Sequence, residues 1–107
     1  MKEIIMQEIP KIEHIADLLY QNKAHIVFND LENEFQMISK IMIEFINRCD
    51  QYNEMGMEIP KEVLLSQMQN CMEAYKKGDI LMLADSFQYE ICQSISLFRD
   101  ILNELGE

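Results

Sequence analysis

The sequence predicts an all-α protein, an antiparallel four-helix bundle with up-down-up-down topology. Three observations lead to this prediction: an unbroken apolar seam between Ala24 and Tyr52, three further stripes with helical spacing, and few turn-forming residues. The chain has 107 residues with only three Gly and two Pro, whereas an all-β fold needs a turn signal about every 8–12 residues. We therefore expect one helical domain over residues 1–107.

The second helix, predicted over residues 23–52, carries the seam around which the other helices are expected to pack. Its apolar positions alternate between gaps of four and three residues: Ala24, Phe28, Leu31, Phe35, Ile38, Met42, Phe45, Cys49 and Tyr52. A helix of this length spans about 43 Å and cannot bury such a seam alone. The seam therefore predicts partner helices.

The first helix is predicted over residues 4–22, with an apolar stripe of Ile5, Ile9, Ile12, Ala16 and Leu19. Proline suits the first turn of a helix but removes a hydrogen bond inside one. Either the main helix begins at Pro10, or one helix runs through Pro10 with a kink. Asn22 is expected to be the N-cap of the second helix. So short a link predicts that the first two helices run antiparallel.

The last two helices are predicted over residues 60–77 and 79–105. Pro60 suits the start of the third helix, and Gly78 is expected to end it. Asp79 is the predicted N-cap of the fourth helix. The longest link, between Asp50 and Ile59, is the best candidate for a mobile loop.

Composition and charge exclude several functions. The net charge is −10, which repels phosphate backbones, so we expect no nucleic-acid partner. No apolar run approaches the roughly 18 residues of a membrane span, so we expect no membrane partner. No secretory signal is recognisable, and the three cysteines fit free thiols better than disulfides. These features predict a cytoplasmic protein.

Two parts of the chain resemble a known class of proteins. The fourth helix contains Gly78-Asp79 and then Leu83-Ala84-Asp85 and Tyr89-Glu90-Ile91, which form an L-A-D-x-x-x-Y-E-I string. Near the start lies Ile9-Pro10-Lys11-Ile12. In these segments the chain resembles small, uncharacterised bacterial helical-bundle proteins, a family of unknown function. The resemblance implies an all-α bundle and brings no catalytic residues.

The sequence shows no arrangement typical of catalysis or of a bound metal or cofactor. A di-iron bundle would carry Glu-x-x-His on two helices, but Lys11 and Asn22 stand three residues before His14 and His25. There is no Cys-x-x-Cys pair and no Gly-rich phosphate loop. We therefore expect no enzyme activity, metal or cofactor.

One cluster remains a candidate ligand or partner site. The predicted topology gathers Tyr20 and Asp85 at one end of the bundle, with Tyr89 and Glu90 one turn further along the fourth helix. A half-buried carboxylate at Asp85 would need a hydrogen-bond donor or would stay protonated. Asp85 therefore either fixes the packing through a hydrogen bond or forms part of a binding site.

The middle of the second helix is more apolar than one seam requires, because Ile41, Ile43 and Ile46 fall outside it. Either the helix is buried on a broad face, or these residues form an oligomer surface. The leading functional prediction is a non-enzymatic protein-interaction or adaptor bundle that self-associates, as a homodimer. The alternatives are a chaperone-like binder of a secreted or flagellar subunit and a small-ligand-binding bundle that uses Tyr20, Asp85 and Tyr89.

Overall fold

The computed structural model describes residues 1–106, with the side chains of residues 26–30 left out. Within this range the chain forms four helices and no strand, so the predicted all-α class is confirmed. They are α1 (Lys2–Tyr20), α2 (Ala24–Glu54), α3 (Lys61–Lys77) and α4, which comprises Ile80–Asp85, a π-helical segment Ser86–Ile91, and Cys92–Glu104. The observed bounds differ from the predicted ones by no more than two residues.

Helix α1 runs without interruption through Pro10. Of the two alternatives for the first helix, the single continuous helix is therefore the observed one. Pro10 lies on the exposed side of α1, where water can satisfy the carbonyl group that lacks a proline N–H donor. The opposite side buries Ile5, Ile9 and Ile12.

Asn22 ends α1 rather than capping α2, so the prediction for this residue is wrong. Its φ of 60° is left-handed, a conformation that asparagine tolerates better than most residues. This bend lets the Lys23 N–H donate to the Leu18 carbonyl at 2.8 Å and the Asn22 N–H donate to the Leu19 carbonyl at 3.1 Å. The last carbonyl groups of α1 thus gain partners at the helix end.

The boundary between α3 and α4 follows the prediction. Gly78 has a φ of 69°, and the Asp79 N–H donates to the Ala74 carbonyl at 3.0 Å. The Asp79 side chain then accepts a hydrogen bond from the Met82 N–H at 3.1 Å. The predicted C-terminal stop at Gly78 and the predicted N-cap at Asp79 are therefore both confirmed.

The connection between α2 and α3 is shorter than predicted, because α2 continues to Glu54. The Asn53 side chain binds both backbone groups of Ile59: its amide donates to the Ile59 carbonyl at 3.1 Å and its oxygen accepts from the Ile59 N–H at 2.7 Å. Ile59 itself is buried. The segment that was predicted to be a mobile loop is thus tied to the end of α2.

The seam of α2 forms the centre of the core. The buried seam residues are Leu31, Phe35, Ile38, Met42, Phe45, Cys49 and Tyr52, while the side chain of Phe28 lies outside the described residues. Ile41 and Ile46 are also buried, whereas Ile43 is 50% exposed. Of the three residues predicted as an oligomer surface, two therefore lie in the core of their own chain, because α2 is buried on a broad face.

Two pairs of aromatic rings join α2 to α4. Phe35 lies 5.7 Å from Phe87, and Phe45 stacks on Phe98 with a centroid distance of 4.6 Å. Phe35 and Phe45 are ten positions apart on α2, whereas Phe87 and Phe98 are eleven positions apart on α4. If both helices were regular α-helices, this extra residue would turn one ring of the second pair away from its partner. A π-helical turn takes one extra residue, so the segment Ser86–Ile91 accommodates the difference and keeps both pairs in contact.

None of the helices within residues 1–106 combines the length and the apolar character needed to cross a membrane.

We expect Ile41→Ala to destabilise the protein far more than Ile43→Ala. Ile41 is fully buried, and truncating a buried isoleucine to alanine costs about 2–5 kcal/mol. Ile43 is half exposed, so its truncation should cost less than about 1 kcal/mol. Urea denaturation of dilute protein, followed by circular dichroism, measures both. Equal losses would contradict the assignment of these two neighbours to the core and to the surface.

Candidate functional site

The end of α1 meets the start of α4 through a hydrogen bond between Tyr20 and Asp85. The Tyr20 hydroxyl donates to Asp85 Oδ1 at 2.5 Å. The Tyr20 side chain is only 40% exposed. Asp85 is exposed, so the sequence-based expectation of a half-buried carboxylate there is wrong. The first turn of α4 leaves Leu81 63% exposed and therefore does not enclose Asp85. The Asp85 carboxylate nevertheless accepts a hydrogen bond, from the Tyr20 hydroxyl.

Tyr89 belongs to the same cluster, and besides partial burial both Asp85 and Tyr89 raise the pKa of the Tyr20 phenol. Partial burial raises the pKa of Tyr20 well above its ordinary value, and the hydrogen bond to Asp85 and the nearby Tyr89 hydroxyl raise it further. The Tyr20 phenol is therefore neutral at physiological pH and acts as a hydrogen-bond donor. The Tyr89 side chain is 63% exposed, so the cluster is open to solvent.

Glu90, predicted to join this cluster, lies instead in a polar layer between α3 and α4. The Ser86 hydroxyl donates to Glu90 Oε1 at 3.1 Å, and the Ser94 hydroxyl donates to the side-chain oxygen of Gln67. Ser86 and Ser94 are both buried. Sequence reasoning missed this layer. The available signal was a polar residue at every fourth position of α4, Ser86, Glu90 and Ser94, beside apolar neighbours.

The thiols are buried and poorly suited to nucleophilic chemistry. Burial raises the pKa of Cys71 to about 12, and the Glu90 carboxylate adds to this effect. Burial also raises the pKa of Cys49 and of Cys92. Since the thiolate is the reactive form, all three side chains behave as apolar core residues. Across residues 1–106, no group of three or more His, Cys, Asp or Glu side chains is placed to hold a metal ion.

An open apolar groove lies between α2 and α3. Phe35 forms its floor, and the Tyr75 ring lies against Phe35 at 4.4 Å. Ile43 and Met72 line its sides, and the groove encloses about 480 Å³. Ile43, Met72 and Tyr75 are all more than one third exposed.

A second groove lies on the other side of Met72, along the outer surface of α3. Its apolar residues are Leu65, Met68 and Met72, and it encloses about 540 Å³. Leu65 is 43% exposed. Because Met72 lines both grooves, they form one continuous surface, which we call the α2–α3 face. Sequence reasoning found Ile43 as a possible surface residue but grouped it with Ile41 and Ile46, which lie in the core. It did not assign Leu65 or Met72 to a surface.

The chain matches no protein-family model, no curated protein and no solved structure. The resemblance of its fourth helix to small bacterial bundle proteins therefore stays a prediction.

We expect Tyr20 to ionise at a higher pH than an ordinary tyrosine. Its folded-state pKa lies above the usual value of 10.0, so the stability contributed by the neutral phenol is complete below pH 10 and declines as the pH rises further. At about pH 11, native wild-type protein and Tyr20→Phe should show the same tyrosinate absorbance. In urea, where both chains are unfolded, their absorbance should differ by the contribution of one tyrosinate. A difference in absorbance between the native samples would contradict the raised pKa of Tyr20. The variant Asp85→Ala removes the hydrogen-bond acceptor and should move the pKa of Tyr20 towards 10.0.

Proposed function

We propose that this protein is a non-enzymatic interaction bundle that binds a protein helix on its α2–α3 face. The observation that carries the proposal is the exposure of Ile43, Leu65, Met72 and Tyr75 around two adjoining grooves. Single exposed apolar residues are normal, but a continuous apolar patch is typical of an interaction site.

The shape of the face fits a helical partner. A groove between two helices accepts the apolar side of an amphipathic helix, whose residues insert at three- and four-residue spacing. Phe35, at the floor, is held by contacts with Tyr75 and Phe87. The floor is therefore preorganised, which lowers the entropic cost of binding.

The chemistry of the remaining polar groups supports a binding role over a catalytic one. The three cysteines are buried with raised pKa values, and His14 and His25 are exposed. The Tyr20–Asp85 pair uses its hydrogen bond within the chain, as expected of a contact that fixes packing. We place the protein in the cytoplasm, a reducing compartment that suits three free cysteines.

We further propose the up-down-up-down arrangement for the four helices. Two contacts at different levels support opposite directions for α1 and α4: Cys92 with Glu13 at 3.7 Å, and Asp85 with Tyr20. Moving forward along α1 means moving backward along α4. The pairs Phe35–Tyr75 and Asp50–Lys61 support the same relation for α2 and α3.

Double-mutant cycles test this arrangement. We expect Tyr20→Phe and Asp85→Ala to show a coupling energy in urea denaturation, and Glu13→Ala and Cys92→Ala to show a second one, because each pair is in contact and contacting residues couple by about 0.5 kcal/mol or more. His14→Ala, next to Glu13 and exposed, is the matched control and should show no coupling with Cys92→Ala. A coupling in only one of the two pairs would contradict opposite directions for α1 and α4.

Site-specific photocrosslinking tests the proposed function. A benzoylphenylalanine at position 43 should crosslink to a protein in living cells, because this position lies at the side of the groove. The same residue at position 97 is the control, since Leu97 is similarly exposed, at 42%, but lines neither groove. Mass spectrometry of the adducts identifies what was bound. If position 43 gives no more adduct than position 97, the proposal is wrong.

A further inference from the structure

The α2–α3 face is electrically neutral, in contrast to the chain as a whole. The charged residues that line its two grooves are Glu32, Lys40, Glu73 and Lys76, two of each sign. The whole chain carries a net charge of −10, so all of the excess negative charge lies elsewhere. Two copies of the chain therefore meet little net repulsion when they approach through this face.

The charged groups of the face are also available for pairing. Within the described part of the chain, Glu32, Lys40 and Lys76 form no ion pair. Glu73 has only an exposed contact with Lys77 at 4.0 Å, which contributes little to stability. A partner that supplies both an ammonium and a carboxylate would satisfy these groups. A uniformly basic partner would leave the two lysines facing like charge.

We infer that the occupant of the α2–α3 face is a second copy of this chain, related by a two-fold axis. This inference rests on the proposed function, because it names the partner of the same face. A two-fold interface joins the same patch on both copies, and a patch with equal numbers of acidic and basic residues meets its own copy without net repulsion. The whole protein is acidic, yet this pairing brings no net charge into the contact.

The arrangement of the two grooves agrees with this partner. Met72 stands between the two grooves, so a two-fold axis near Met72 can place this side chain of each copy in a groove of the other. A standard interface buries about 800 Å² per partner, which is about one eighth of the 6378 Å² accessible surface of the chain.

Sedimentation velocity over a range of protein concentrations tests the inference. We expect wild-type protein to form a dimer and Ile43→Glu to weaken its formation about 100-fold, because a charge would enter the apolar part of the interface. Leu97→Glu is the matched control and should dimerise like the wild type. Ile43 and Leu97 are both partly exposed in the single chain, so neither variant should unfold, which circular dichroism checks. A wild type that remains monomeric, or two variants that behave alike, would overturn the inference.

Charge reversal provides an independent measurement. Lys40→Glu changes the charge of the face from zero to −2, and Glu32→Lys changes it from zero to +2. Each variant alone should dimerise at least about tenfold more weakly than the wild type. An equal mixture of the two, one of them fluorescently labelled, should form a heterodimer with affinity near that of the wild type. If mixing restores no association, the copies do not meet through this face.

The experiments separate failure of this inference from failure of the proposed function. If purified protein is monomeric while position 43 crosslinks to a different protein in cells, the second copy is the wrong partner and the α2–α3 face is still a binding site. If position 43 also gives no adduct above the control position, both proposals fail.

Discussion

Contact between two pairs of phenylalanine rings is the constraint on which the rest of the structure depends. Phe87 and Phe98 of α4 must meet Phe35 and Phe45 of α2, and their sequence spacings differ by one residue. The π-helical segment Ser86–Ile91 absorbs that residue. Without it, the part of α4 beyond Ile91 would be rotated by about 100°, and Phe98 would leave the stack. The register of α4 therefore follows from ring packing.

The same register determines where the polar groups of α4 lie. Before the π-helical segment, Asp85 reaches Tyr20 of α1, and after it Cys92 reaches Glu13 of the same helix. Ser86, within the π-helical segment, is buried and donates to Glu90. Ser94, after the segment, is buried and donates to Gln67. A buried hydroxyl without a partner costs about 1–3 kcal/mol. The hydrogen bond from Ser94 to Gln67 of α3 therefore penalises a shifted pairing of α3 and α4.

Packing of the core and exposure of the α2–α3 face are two consequences of one long helix. The broad buried side of α2 takes in Ile41 as well as the seam, while Ile43, two positions further along the sequence, faces outwards beside Met72. The sequence could predict that α2 has more apolar residues than one seam needs. It could not predict which of them remain exposed, because α3 supplies the other side of the groove. The closeness of Tyr20 and Asp85 was predictable because the predicted topology brings the end of the first helix and the start of the fourth helix to the same end of the bundle.

By itself the sequence determined the helical class, the approximate helix bounds, and the stop and cap at Gly78 and Asp79. These features depend on interactions within a few residues, such as the apolar period of a helix or the hydrogen bond of a capping side chain. Only the tertiary structure decided that α4 contains a π-helical segment and that Glu90 turns away from Asp85. Those outcomes depend on which helix packs against which side of another. That choice is made by contacts between residues far apart in the chain.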